Sequence, residues 1–322
     1  MRARNVSCII LILFLCLTGT ACKREDQRSG QTKQLNVVTT LFPLYDFTKN
    51  VAGDKASVTL LLPPGVEAHS FEPKAGDMLR VNAADLLIFT GIFMEPWVGG
   101  LLKGVNNKGL LVVDASAGIT LMEGQEDHHD HGKGKKEGKE DGYSHGKIDP
   151  HIWLDLGNAQ KMVNNIRDAL VAKDHVNKDF YTKNAEAFIA KLADLDRRYK
   201  EALLTCKKSL FVHGGHFAFN YLAKRYSLNY ISAYHGSPDS EPTPKRLITL
   251  KKKMQENNIQ YIYYEELITP RIADILAKET GAKLLKLHGA HNISKDELER
   301  GISFVFIMEE NLKNLKVGLE CQ

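Results

Sequence analysis

The chain has 322 residues, 43% of them hydrophobic and 25% charged, which is an ordinary balance for a globular protein and enough for two domains or one large one. Its formal charge of +4 is mild, and lysines alternate with acids along the amphipathic stretches. No basic stripe of the kind that binds nucleic acid is present, so nucleic acid is excluded as a partner.

The opening "MRARNVSCIILILFLCLTGTAC" sets Arg2 and Arg4 before an apolar run, with small residues after it. Residues 1–22 read as a secretory signal peptide, its apolar core too short for a comfortable membrane span. Gly19 and Ala21 suit an ordinary cleavage and a secreted protein. Cys22, directly after the cut, suits lipidation, although Gly19 stands where a lipoprotein signal usually has leucine. Cys8 and Cys16 leave with the signal, so the mature chain keeps Cys22, Cys206 and Cys321, and the odd number favours lipid on Cys22. Cys206 and Cys321 then remain as a disulfide pair or as two free thiols. Residues 23–34 are polar and read as a flexible tether.

From residue 35 to 172 short apolar runs alternate with amphipathic ones. "LNVVTT", "VTLLLP", "DLLIFTG" and "LLVVDAS" read as strands buried on both faces, with helices at "LYDFTKNVAG" and "AGDMLRVNAA". This is the grammar of an α/β lobe with a mostly parallel sheet. Residues 123–148 interrupt it with His, Lys, Glu, Asp and Gly and almost nothing apolar. Such a stretch buries too little surface to offset ordering entropy, so disorder is expected there. Its histidines, His128, His129, His131 and His145, make a weak accessory zinc tract or a charged solvated linker.

Residues 173–205 carry Phe180, Ala187, Leu192, Leu195 and Tyr199 at roughly helical period, which predicts one long backbone helix joining two lobes. The alternation then repeats over 206–322. Strands are expected at "SLFVHG", "LNYISA", "IQYIYYE" and "KLLKLHG", and helices at "FAFNYLAKRYS", "PTPKRLITLKKKMQENN" and "TPRIADILAKETG", the last ended by Gly281 as C-cap. The expected fold is α/β, with two pseudo-symmetric lobes.

Four histidines fall near strand ends or in the loops beyond: His69 in "LLPPGVEAHSFEP", His151 in "DPHIWLD", His216 in "FVHGGHFAFNY" and His291 in "KLHGAHNIS". That rim is where open α/β sheets bind ligands, and four neutral imidazoles suit tetrahedral zinc better than harder manganese or magnesium. His288 is the second choice for the fourth ligand and Glu266 the third, while His213 is set aside by the glycines that follow it. Asp149, Asp155 and Glu67 are candidates to orient the ligands.

In order along the chain, "VVTTLFPLYDFTKNVAG", "LLPPGVEAHSFEPKAGDMLRVNAADLLIFTGIFMEPWV", "DPHIWLD", "HFAFNYLAKRYSL", "SEPTPKRLITLKKKM", "AKETGAKLLKLHGAHNIS" and "MEENLKNL" resemble the metal-binding receptors of bacterial zinc and manganese ABC importers, closest to the zinc-uptake ZnuA/AdcA kind. The resemblance implies two α/β lobes joined by a long helix, with the metal between them. Its ligand positions fall on His69, His151 and His216; its fourth position, which varies and is often acidic, falls on His291. It implies a non-enzymatic extracytoplasmic zinc receptor, periplasmic or lipid-anchored, a monomer that docks on an integral-membrane permease. Three rivals stand beside it: a manganese receptor of the same class, a zinc hydrolase with Glu67 or Glu266 as base, and a surface adhesin.

Overall fold

The computed structural model describes residues 34–124, 148–234, 242–267 and 269–322. The signal peptide, the tether up to Lys33, Cys22 and the tract histidines His128, His129, His131 and His145 lie outside them.

β1 (Leu35–Thr39), β2 (Ala56–Leu60), β3 (Leu86–Phe89) and β4 (Leu111–Asp114) form a wholly parallel sheet in the order β2-β1-β3-β4. β3, "LLIF", is buried at every position, which is why its sequence is a solid apolar run without alternation. Helices α1 (Phe42–Ala52), α2 (Ala75–Asn82) and α3 (Val98–Lys103) make the connections. Two short strands, β5 (Met122–Glu123) and β6 (Ile148–Asp149), pair antiparallel and pin both feet of the His-rich stretch. Asp149 is the last residue of β6, so His151 follows a fixed point.

Two long helices come next. α4 (Leu156–Lys173) was not evident from periodicity. Asp155 caps it, accepting from the Gly157 and Asn158 N–H groups. α5 (Lys178–Leu203), of 26 residues, is the expected long helix. Its buried stripe is Tyr181, Ala185, Phe188, Leu192, Leu195 and Tyr199, spaced alternately four and three residues apart as one helix face requires. Phe180 and Ala187 therefore fall off the buried stripe: Ala187 is exposed and Phe180 only partly covered.

The second sheet holds β7 (Leu210–His213), β8 (Asn229–Ser232), β9 (Tyr261–Tyr264) and β10 (Lys283–Lys286), in the order β10-β9-β7-β8 and again parallel. Both sheets thus run second-first-third-fourth in chain order, which is the expected pseudo-symmetry. Helices α6 (Asn220–Arg225), α7 (Pro244–Glu256) and α8 (Arg271–Thr280) connect the strands, and Gly281 ends α8 in the left-handed conformation at φ 73°. α9 (Lys295–Glu299) and α10 (Phe304–Gly318) complete the chain. A disulfide joins Cys206 to Cys321 across 115 residues, tying the chain's end to the start of the second lobe. Both sheets belong to one compact unit, Gln34–Gln322.

The candidate metal centre

The loop after β2 brings in His69, the turn after β6 His151, and the loop after β7 His216. Their ligating atoms lie within 4.8 Å of one another. His151 Nε2 is 3.2 Å from His69 Nε2 and 3.2 Å from His216 Nε2. His151 and His216 are buried, whereas His69 is partly exposed and forms the outer wall.

Each inner ring is turned by a carboxylate. Asp149 Oδ1 accepts from His151 Nδ1 at 2.7 Å and from the His151 backbone N–H at 3.0 Å. Glu265, just past β9, accepts from His216 Nδ1 through one oxygen and from the His216 N–H through the other at 3.2 Å. In both pairs Nδ1 is committed outward, so the Nε2 lone pair faces the common point. Gly215 makes the second pair feasible, because a Cβ there would collide with the Glu265 carboxylate and the His213 ring.

Electrostatics separates the three rings. Burial, followed by the neighbouring imidazoles, holds His69 and His151 well below the usual histidine range. Burial also pulls on His216, but the charge and hydrogen bond of Glu265 prevail and raise its pKa to about 9. Burial raises Asp149 to about 7 against the hydrogen bond from His151. Burial works against the charge of Glu265 too, and His216 beside it keeps that carboxyl below its ordinary value.

His291 is buried against this cluster, its ring centroid 6.3 Å from that of His69 and 5.9 Å from that of His216. Among the described residues its Nδ1 has no hydrogen-bond partner; it lies 3.6 Å from Glu266 Oε1, which likewise has none. His288 points elsewhere: its Nδ1 accepts from the Ala290 N–H at 2.9 Å and lies 3.2 Å from Glu266, and its Nε2 is 4.0 Å from Glu297. Glu266 Oε2 accepts from the Gly289 N–H at 2.7 Å; burial pushes its pKa up, but the neighbouring His288 and His291 rings prevail and lower it. His213 lies behind the cluster, with Nδ1 3.3 Å from the His216 carbonyl, and burial lowers it to about 4.

Of the orienting acids expected from sequence, Asp149 does touch its ring, that of His151. Glu67 instead accepts the His69 backbone N–H, at 3.0 Å. Asp155 belongs elsewhere: standing first before α4, its carboxylate is drawn to the free N–H groups of that helix and to Arg225 at 2.7 Å. Glu265 was missed, and the only signal for it was a pair of acids closing "IQYIYYEE" at a strand end.

Two parallel sheets of matching order and a buried imidazole cluster at their loop rim define a two-lobed metal-binding receptor. The family model for the periplasmic zinc-uptake complex component A, ZnuA, matches residues 37–318, and the chain belongs to this family. It is 41% identical over 314 residues to the high-affinity zinc uptake system protein ZnuA of Bacillus subtilis, covering 98% of this chain and 96% of that protein. It is 39% identical over 311 residues to the zinc-binding lipoprotein AdcA of Streptococcus pneumoniae, covering 95% of this chain and 60% of that longer protein. Among solved structures, the Zn(II)-bound ZnuA-like domain of that AdcA superposes with a TM-score of 0.74 at 36% identity, over 89% of this chain and 99% of the domain. The family is one of transport receptors, not of enzymes.

Proposed function

We propose that the chain is an extracytoplasmic zinc receptor that delivers Zn2+ to an ABC importer. The observation that carries this reading is the convergence of three imidazole Nε2 atoms, two of them set by carboxylates, where the loops of two lobes meet. Neutral imidazoles favour zinc over harder manganese. His69, His151 and His216 are assigned as ligands, with His291 as the fourth. His291 already packs against the cluster, whereas His288 Nδ1 and Glu266 Oε2 are each taken up by a backbone N–H.

Capture follows from these contacts. Asp149 and Glu265 hold two rings in the tautomer that presents Nε2, and the metal displaces the proton of His216. Four protein ligands leave no open position for an activated water, so the site binds and releases rather than catalyses. The partner is the importer's membrane permease with its ATPase. No helix among the described residues is long and apolar enough to cross a membrane, and attachment is assigned to lipid on Cys22. The receptor acts as a monomer. It has lobes over 35–172 and 206–322 with 173–205 between them, and its His-rich tract collects zinc weakly.

Competitive titration of the mature chain with zinc and manganese tests this reading. One tight zinc equivalent, with manganese far weaker, is expected. Preference for manganese, or tight binding that vanishes with the His-rich tract, would overturn it.

A further inference from the structure

The segment Gly289–Ile293 belongs to the second lobe but is hydrogen-bonded across to the first. The Gly289 carbonyl accepts from Trp153 Nε1 at 2.8 Å, two residues beyond His151. The His291 carbonyl accepts from the Phe42 N–H at 3.3 Å, and the Ile293 carbonyl from the Gly65 N–H at 2.8 Å. Between them, Asn292 Nδ2 donates to the Pro63 and Val66 carbonyls, both at 2.8 Å. Asn292 is fully buried, and its Oδ1 accepts from the Ile293 N–H at 2.9 Å, which fixes which way the amide faces. Both amide hydrogens are therefore spent on the turn that leads into His69.

Of the four proposed ligands, His69 alone is partly exposed. Its backbone N–H is tied to Glu67 within its own loop. Across the lobe boundary it is held by Asn292 and by the Gly65 N–H.

We propose that Asn292 is a positioning residue for metal capture, latching the His69 loop onto the segment that carries His291 and so setting how fast metal leaves. This rests on the zinc-receptor reading with His69 as a ligand. Chelator competition on the mature chain, with zinc itself as probe, compares wild type, Asn292→Ala and Asn292→Asp. Asn292→Ala should weaken zinc binding by roughly tenfold, the loss of two buried hydrogen bonds, mostly through faster dissociation. Asn292→Asp keeps the size but not the donors and should do no better than alanine. Added to His69→Ala, Asn292→Ala should have no further effect on affinity. In the wild-type chain, zinc should slow exchange of the Gly65 amide as it slows that of the amides beside His69, a readout that needs no variant to fold. Wild-type affinity in either Asn292 variant, a full effect persisting in the His69→Ala background, or a Gly65 amide indifferent to zinc would overturn the proposal alone. A wild-type chain that does not bind zinc would overturn it together with the receptor reading.

Discussion

Replacing Glu265 with glutamine should change how zinc affinity depends on pH more than it changes affinity at neutrality. Without metal, Glu265 outweighs burial and raises His216 to about 9. Zinc must take Nε2 from the neutral ring, so in the wild type a proton is displaced at every pH below that value. Near pH 7 this competition weakens binding by about 100-fold, tenfold for each pH unit below the pKa. In the Glu265→Gln variant burial, the largest influence on the ring, is opposed only by the weaker pull of Glu67 and Glu266, so the ring should be mostly neutral at pH 7 and the competition largely lost. Against that gain, removing a carboxylate from behind a ligating histidine costs about 10–100-fold in metal affinity. The two effects nearly cancel around pH 7. Toward pH 9 the wild-type ring sheds its proton unaided, and only the loss remains. Chelator competition between pH 6.5 and 9 should show the wild type gaining about one log unit of affinity per pH unit, the variant nearly flat, and the curves separated by about 10–100-fold at the top. A variant with the wild-type slope would refute the placing of the proton on His216.

Other outcomes follow from the same contacts. His151→Ala removes the ring whose Nε2 is 3.2 Å from both other nitrogens; zinc affinity should fall by at least about 100-fold with the circular dichroism spectrum unchanged. Replacing residues 125–147 with a short glycine–serine linker leaves a turn long enough for the β5–β6 pair and should leave one tight zinc equivalent by calorimetry, while weak additional binding is lost. Asp46 is raised from 3.8 to about 6, burial outweighing the Phe304 N–H and the nearby lysines. Its folded state holds the proton more tightly than the unfolded chain, so its stabilising contribution is present below about pH 4 and lost as pH rises through 6. Asp46→Asn should therefore raise Tm by several degrees near pH 7.5, corresponding to at most about 3 kcal/mol, and by little near pH 4. Serine at both Cys206 and Cys321, which close a 115-residue loop, should cost about 4 kcal/mol in denaturant unfolding.

Much of the architecture was legible because it is written in local pattern. Solid apolar runs such as "LLIF" announced strands covered on both faces, Gly281 marked a helix end, and the placing of His69, His151, His216 and His291 at loop rims followed from the strands beside them. The face of α5 was misread because Phe180 and Tyr181 are adjacent aromatics, and only packing decides which of them turns inward.

The histidines' residue types and their partner Asp149, two positions away, are properties of the chain itself, since a carboxylate so close in sequence can reach its ring locally. Glu265 lies 49 residues from His216 and becomes its partner only because β7 and β9 are neighbours in the sheet. Asn292 meets Pro63 across 229 residues, where the loops of the two lobes touch. The sequence by itself offered the imidazoles that could hold a divalent cation. Tertiary structure alone decided which of them face one another, because strand order and the meeting of two lobes bring distant loops together, and no local spacing encodes that.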